Sequence, residues 1–321
     1  MMNSINIISH IRKKGFSTSI SIAFRKMKLW SRRACVVIFD LFFGKERKAA
    51  LADINNQWKC YSFLLHKYKK FLFQLPEYEC SGNRKNIIWW CWLQGEEYAP
   101  RICKACLASV KKCYYDYEVI VITSDNYQKY AKLPDFIRNK YDRGIISNAH
   151  FSDILRTVLL IEHGGVWIDS TVLCTGRDES IINMPFFLFR NWKQQEMYPS
   201  ECSNWFIVSN KSNPVLMTVR DLLFQYWMEH DYCLHYFIYH FFFKMAVQRY
   251  ADLWEKVPNY PNTGPHILQF ESITEFDVNR FSQICSLSNF HKLTKDLEEK
   301  DKSKYSYIKY ILEIYHLNVQ N

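Results

Sequence analysis

Glycine and proline are both scarce in this sequence, with nine of each among 321 residues. Collagen-like and low-complexity repeats are therefore excluded, because both classes depend on these residues. Hydrophobic residues make up 48% of the chain, which is enough for a sizeable core and excludes general disorder. At about 100–200 residues per domain, the length allows one large domain or two small ones.

Long apolar runs are missing as well. The longest lies within residues 34–43 and is interrupted by Asp40, whereas a spanning helix needs about 20 apolar residues. We therefore expect no transmembrane segment. The first residues also lack the apolar stretch and small-residue cleavage site of a signal peptide. The eleven cysteines, an odd number spread along the chain, favour a reducing, cytoplasmic compartment.

Two common ligand-binding patterns are absent or incomplete. Cys103 and Cys106 form the one CxxC pair, and a structural zinc site usually needs two such pairs. Because this pair lies in a helical pattern after Pro100, we favour buried helix packing over metal or redox chemistry. No GxGxxG or Walker-type loop is present, so other groups must neutralise the phosphates of any bound nucleotide.

Positive charge is concentrated near the N-terminus. Residues 1–85 hold 17 Lys and Arg against 5 Asp and Glu, and the rest of the chain holds 25 against 27. Large apolar residues such as Trp30 and Phe39 are interleaved with the cations, as in helices that lie on anionic lipid. A solvated helical extension is the second interpretation, and we expect no nucleic-acid partner. The predicted parts are a basic, helical, membrane-associating extension over 1–80 and a domain over 81–321.

Strand and helix patterns alternate beyond this extension. Residues 86–93 form a compact apolar run rich in Ile and Trp, which predicts a buried strand. Pro100 can open a helix, and the β-branched residues 117–122 predict a second strand. This β-α-β order predicts an α/β fold that contains a parallel sheet.

The segment 147–175 carries most of the predicted chemistry. Residues 147–148 can cap a helix, the glycines at 164–165 end it, and 166–168 form a short strand. Asp169 follows at the carboxyl end of that strand, which is where ligand sites of open α/β sheets lie.

Asp153 and Arg156 are three residues apart and therefore share one helix face. The residues alone leave two interpretations open. One is a surface ion pair worth about 0.3–0.5 kcal/mol. The other is a site in which Asp153 accepts from ribose hydroxyls while Arg156 meets a phosphate or steadies Asp169. The short path through the two glycines favours convergence of all three side chains.

Residues 152–156 (SDILR) and 164–169 (GGVWID) resemble the core of glycosyltransferase family 32, and in particular its bacterial capsular polysaccharide synthesis subgroup. Residues 87–95 (IIWWCWLQG) resemble the first strand of that family. The pattern is more distantly similar to the glucosylating clostridial toxins. The resemblance covers residues 84–270 and does not include 1–80.

This resemblance implies a fold, a reaction and a site. The fold is a GT-A-type nucleotide-binding mixed sheet flanked by helices, and the reaction is retaining sugar transfer from a nucleotide-sugar donor. Asp153, Arg156 and Asp169 take catalytic roles, Asp153 and Arg156 also hold the donor, and Trp92 stacks on its base. Asp169 begins an Asp-x-Asp metal motif whose third position here is Thr171. The implied cofactor is Mn²⁺ or Mg²⁺, bound together with the nucleotide.

Two downstream residues are weaker candidates for this site. Asn204 begins a predicted strand over 204–208 and either faces the donor sugar or is simply a polar strand end. Residues 263–266 predict a turn, and His266 at its end is either a further metal ligand or an ordinary loop histidine.

The aromatic-rich segment 222–243 predicts a helix pair that serves either core packing or an acceptor groove. Asp231 and Tyr232 within it are weak candidates for acceptor contact. The expected protein lies on the cytoplasmic face of the cell membrane, is peripheral there, and extends a polysaccharide or lipid-linked glycan. The alternatives are a catalytically inactive, membrane-attached scaffold of a polysaccharide assembly complex and a toxin-like transferase that modifies proteins.

Overall fold

The computed structural model describes residues 45–191 and 197–317. Predictions that concern residues 1–44, including the roles of Trp30 and Phe39, lie outside the described part of the chain. No helix in the described part is both long and apolar enough to cross a membrane.

A five-stranded mixed sheet organises the molecule, with a two-stranded sheet beside it. The strands are β1 (Ile87–Cys91), β2 (Glu118–Ile122), β3 (Gly165–Ile168), β4 (Val172–Cys174), β5 (Phe186–Arg190), β6 (Cys202–Ser209) and β7 (Phe290–Lys292). The large sheet has the order β2-β1-β3-β6-β5, and β4 pairs with β7. Strand β1 runs parallel to β2 and β3, whereas β6 is antiparallel to β3 and β5. The predicted β-α-β unit is thus confirmed.

Helices flank the large sheet. They are α1 (Lys45–Gln74), α2 (Arg101–Cys113), α3 (Asp135–Asp142), α4 (Asn148–His163), α5 (Glu179–Ile182), α6 (Pro214–Glu229), α7 (Ile238–Arg249), α8 (Ala251–Glu255), α9 (Thr263–Glu271), α10 (Val278–Leu287), α11 (Leu297–Lys300) and α12 (Tyr307–Ile314). Helix α6 contacts both α4 and α7, while α2 packs on β4 and α12. The prediction of a mixed α/β sheet flanked by helices, with helical structure in the N-terminal region, is confirmed for the described residues.

Helix α1 belongs to the main hydrophobic core. Tyr61, Leu64, Tyr68 and Leu72 are buried at helical spacing and pack with residues of the large sheet and its helices. The Tyr61 hydroxyl donates to Gln248 Oε1 at 2.9 Å, which fixes α1 to α7. The predicted boundary at residue 80 stays a prediction, and a chain cut there would lose all of these contacts.

The two consecutive glycines bring the end of α4 against β1. Gly164 and Gly165 have φ values of 68° and 101°, which L side chains rarely adopt. A Cβ on Gly165 would lie 2.6 Å from the carbonyl oxygen of Ile87. The Trp89 indole donates to the Gly164 carbonyl at 2.9 Å across the same junction. The glycines therefore allow the chain to turn directly from α4 into β3.

Two smaller predictions have clear outcomes. Cys103 and Cys106 are fully buried in α2, as expected for packing residues. The predicted turn over 263–266 is wrong, because these residues form the first turn of α9. Pro265 is compatible with a helix at this point, since first-turn N–H groups have no intrahelical partner.

Candidate active site

A cavity of about 1160 Å³ opens at the carboxyl ends of β1 and β3. Six of the residues predicted from the sequence line it, namely Trp92, Asp153, Arg156, Asp169, Thr171 and Asn204. Trp92 directly follows β1, Asp169 directly follows β3, and Asn204 lies near the start of the antiparallel strand β6. The sheet topology thus brings these side chains to one edge, as the strand-end argument predicted.

Arg156 lies between the two carboxylates. Its Nη2 atom is 3.4 Å from Oδ1 of Asp153 and 3.4 Å from Oδ1 of Asp169. Its Nη1 atom donates to the backbone carbonyl of Asn204, and its guanidinium lies 4.8 Å from the ring centroid of Trp167. Burial alone would lower the pKa of Arg156, but Asp169 and Asp153 outweigh it and raise that pKa. Arg156 is therefore a permanently charged link between the two acids.

Asp153 is not part of a surface pair, since its side chain is 12% exposed and that of Arg156 is 6% exposed. The Asn204 amide donates to Asp153 Oδ1 at 2.9 Å, and His150 Nδ1 is 3.8 Å from Oδ2. Burial, with a contribution from Asp169, raises the pKa of Asp153 to about 6, against the opposing effects of Arg156 and Asn204. This carboxyl can therefore change its charge close to neutral pH.

Asp169 reaches the cavity from the end of β3. Its Oδ1 atom accepts from the Trp167 indole at 3.0 Å in addition to its contact with Arg156. Its Oδ2 atom is 4.0 Å from the ammonium nitrogen of Lys292. That ammonium donates to Thr171 Oγ1 and, at 3.0 Å, to the carbonyl of Leu293. A lysine thus lies between the first and third positions of the predicted metal motif.

The donor set fits a divalent cation poorly. Mn²⁺ or Mg²⁺ would take oxygen ligands from Asp169 and Thr171, and both side chains already face the Lys292 ammonium. Two unit charges 4 Å apart interact by about 4 kcal/mol at an effective dielectric of 20, and a divalent ion doubles that repulsion. In residues 45–191 and 197–317, no cluster of three or more His, Cys, Asp or Glu side chains could hold a metal. The predicted cofactor remains a prediction.

Three weaker candidates do not line the cavity themselves. His266 is in α9, where its Nδ1 atom is 2.8 Å from the carbonyl of Asn262. Asp231 forms an ion pair of 3.0 Å with Lys140. Tyr232 packs its ring against His230, with centroids 5.3 Å apart. The structure therefore leaves Asp231 and Tyr232 outside the cavity lining, while the His266 ring lies directly behind it, 5.9 Å from the ring of the lining residue Trp205.

Sequence reasoning missed Trp167, which contacts Arg156 and Asp169 but does not line the cavity, and several residues that do line it. Trp167 had a usable signal, because it precedes Asp169 by two positions on a strand and so shares its side. Lys292 had none, since its strand is three residues long. His240 also lines the cavity, and its pKa is lowered to about 3 by burial and by Arg156, so its ring is neutral. Its Nδ1 atom is buried without a hydrogen-bond partner in the described structure.

Comparisons with known proteins place the chain in a family. A solved structure titled PaToxG Glycosyltransferase is similar at 13% identity and a TM-score of 0.37, covering 82% of this chain and 96% of that one. No curated protein matches the sequence. Residues 42–311 match the family described as capsular polysaccharide synthesis protein, and this range includes the whole of α1 and every residue that lines the cavity. The chain therefore belongs to the capsular polysaccharide synthesis protein family.

Proposed function

We propose that this protein is a glycosyltransferase that moves a sugar from a nucleotide-sugar donor to a capsular or other surface polysaccharide. Membership of a capsule synthesis family supports the biological context. The observation that carries the chemistry is the buried Arg156, which lies 3.4 Å from both Asp153 and Asp169 at one side of a large cavity. Such a preorganised charged group in a concave site is typical of catalysis rather than of a scaffold.

In this proposal the two acids bind the donor through its hydroxyl groups. Asp153 and Asp169 are acceptors, and Arg156 fixes the orientation of both. Trp92 stacks on the base, an interaction worth about 1–3 kcal/mol in nucleic-acid binding.

Sugar transfer breaks one bond at the anomeric carbon and forms another. The bond between the anomeric carbon and the diphosphate oxygen breaks, and its electron pair leaves with the diphosphate. The acceptor hydroxyl oxygen bonds to the anomeric carbon, and its proton passes to the departing diphosphate. Cationic groups near the diphosphate stabilise the charge that develops on it. Retention of configuration follows from the resemblance to family 32 and is part of the proposal.

We also propose that the protein works at the cytoplasmic membrane surface on a lipid-linked or growing glycan. The outer face of α1 carries Lys59, Phe63, Lys70 and Phe73, which are exposed and lie on one helical stripe. This face is separate from the buried face that contains Tyr61. Cations and aromatic rings in this arrangement suit an anionic lipid surface.

A donor screen tests the proposal. The full-length protein is incubated with a panel of nucleotide sugars, and release of nucleoside diphosphate is measured with and without a glycan acceptor. The proposal predicts release from one donor or a small group of donors, with transfer of labelled sugar to the glycan. Release from no donor would favour the inactive scaffold, and label on protein hydroxyls would favour the toxin-like alternative. Glu255→Gln, an exposed change in α8, serves as a matched control.

A further inference from the structure

One charged group at the cavity has no part in the proposed donor contacts described so far. Lys292 lines the same cavity as Asp169, and its side chain is 20% exposed. It is the last residue of β7, a strand far along the chain from the predicted motif. The question is why a lysine lies beside Thr171, the third position of the predicted metal motif.

We propose that Lys292 binds the diphosphate of the donor directly, where the family resemblance would put a divalent cation. Donor binding then requires no metal. This inference rests on the proposed function, because it names the group of the same site that meets the leaving diphosphate.

The backbone fixes Lys292 beside the motif. Strand β7 pairs with β4, and Lys292 lies opposite Val172 in that ladder. The Leu293 N–H donates to the Thr171 carbonyl at 2.8 Å. The short two-stranded sheet therefore holds the lysine against the chain segment that follows Asp169, so its ammonium needs no rearrangement to reach this point.

The hydrogen-bond capacity of Lys292 leaves room for an anion. An ammonium group has three N–H donors, and the structure directs two of them to Thr171 and to the Leu293 carbonyl. Asp169 Oδ2, at 4.0 Å, is beyond hydrogen-bond distance. Arg156, in contrast, is already engaged by two carboxylates and a backbone carbonyl. Of Arg156 and Lys292, the lysine is thus the cation that keeps a donor without a hydrogen-bond partner in the described structure.

The same arrangement explains the missing second carboxylate. A hydroxyl at Thr171 accepts from Lys292 and orients it without cancelling its charge. A carboxylate at that position would neutralise the lysine and repel phosphate. Lys295, which is exposed and lines the same cavity, supplies a second positive charge farther from the sheet.

The first measurement uses the wild-type, full-length protein in excess EDTA. Binding of inorganic pyrophosphate, UDP and GDP is followed by calorimetry, and the titrations are repeated with Mn²⁺ and with Mg²⁺. The inference predicts that at least one of these diphosphates binds in EDTA and that metal leaves its affinity unchanged. Binding that occurs only with metal would overturn it.

The second measurement uses variants of the lysine. Lys292→Met should weaken diphosphate binding in EDTA by about ten- to hundred-fold, as expected for the loss of one charge-assisted hydrogen bond. Lys292→Arg should retain most of the affinity. Lys300→Met, an exposed change in α11, should have no effect. Equal affinity for Lys292→Met and wild type would contradict the inference. If Lys292→Met does not fold, the inference is tested by the affinity of Lys292→Arg and by the titration of the wild-type protein in EDTA.

A double variant tests the link between Lys292 and the motif. Thr171→Asp alone should weaken diphosphate binding, because the new carboxylate pairs with the lysine. Thr171→Asp combined with Lys292→Met should make diphosphate binding dependent on Mn²⁺, since two carboxylates then face the cavity without a competing cation. A double variant that binds diphosphate equally well in EDTA and in Mn²⁺ would argue against the substitution of lysine for metal.

The outcomes separate this inference from the proposed function. Diphosphate binding that depends on Lys292 in EDTA, together with no nucleotide release from any donor, would leave the anion site in place and refute the transferase. Nucleotide release that occurs only with Mn²⁺ or Mg²⁺ would keep the transferase and refute the role of Lys292.

Discussion

Arg156 determines the geometry of the two acids at the residue scale. Because one guanidinium contacts Asp153 and Asp169 at the same distance, each carboxylate orients the other through it. The Trp167 ring covers the guanidinium, and its indole nitrogen donates to Asp169. A change at any of these residues is therefore expected to affect the others, so their effects on activity should not be additive.

The raised pKa of Asp153 predicts a pH dependence of donor binding. With a pKa of about 6, the carboxyl is ionised and accepts hydroxyl hydrogen bonds above that pH, and it is largely protonated below it. Donor affinity should therefore fall as the pH drops through about 6. Calorimetric titration with the donor found in the screen, across this range, measures the effect. Asp153→Asn should bind weakly and without this transition, and an equal transition in that variant would assign it to another group.

The raised pKa of Asp153 also makes the free energy of unfolding depend on pH. The folded-state pKa of Asp153 is above the ordinary value of about 3.9. Between about pH 4 and 6 the folded protein therefore holds more protons than the unfolded chain, so this group contributes stability that is lost as the pH rises. Asp153→Asn should remove this contribution, which urea unfolding at the two ends of the range would reveal.

Among the elements, helix α1 differs most between the role predicted from the sequence and the position observed in the structure. Its exposed face carries part of the positive charge from which the basic extension was predicted, but its other face lies in the main core. Ala50, Asp53, Ile54 and Gln57 in its first half also line the cavity that holds the candidate active site. The helix therefore both completes the fold and forms one wall of the proposed site.

This role of α1 predicts a clear difference between two leucine variants. Leu64 is fully buried, so Leu64→Ala should lower the free energy of unfolding by about 2–5 kcal/mol. Leu51 is 55% exposed, so Leu51→Ala should change it by no more than about 0.5 kcal/mol. Urea unfolding followed by circular dichroism measures both. A small effect at both positions would mean that α1 does not pack on the domain in solution.

The elements that the sequence predicted share strong local signals. Strands β1, β2 and β3 are compact apolar runs, and α4 has a capping serine at one end and two glycines at the other. The elements that it missed depend on distant contacts. Strands β4 and β7 have three residues each and exist because they pair across more than a hundred residues of sequence. For this reason Asp153, Arg156 and Asp169 were predictable from the sequence, whereas Lys292 was not.

At the scale of the whole molecule, the exposed face of α1 predicts salt-sensitive binding to anionic vesicles. Each cation near such a surface contributes about 1 kcal/mol, and salt screens that contribution within about 8–10 Å. Lys59→Ser with Lys70→Ser should weaken vesicle binding in a flotation assay, while Lys300→Ser should not. Residues 1–44 add further cations in the sequence, so weakening rather than loss is expected. Equal binding of wild type to neutral vesicles would show that charge is not responsible.

The most direct test of the account is the rate of nucleotide release by Asp169→Asn, measured with the donor that the screen identifies. Asp169 contacts Arg156 and Trp167 and faces Lys292, so its loss removes the carboxylate that lies between the two cations of the proposed site. We predict a fall in the rate of about a hundred-fold or more, equivalent to about 2.7 kcal/mol of transition-state stabilisation. Asp252→Asn, an exposed change in α8, should keep the wild-type rate. A folded Asp169→Asn variant with a rate near that of wild type would contradict the proposed site.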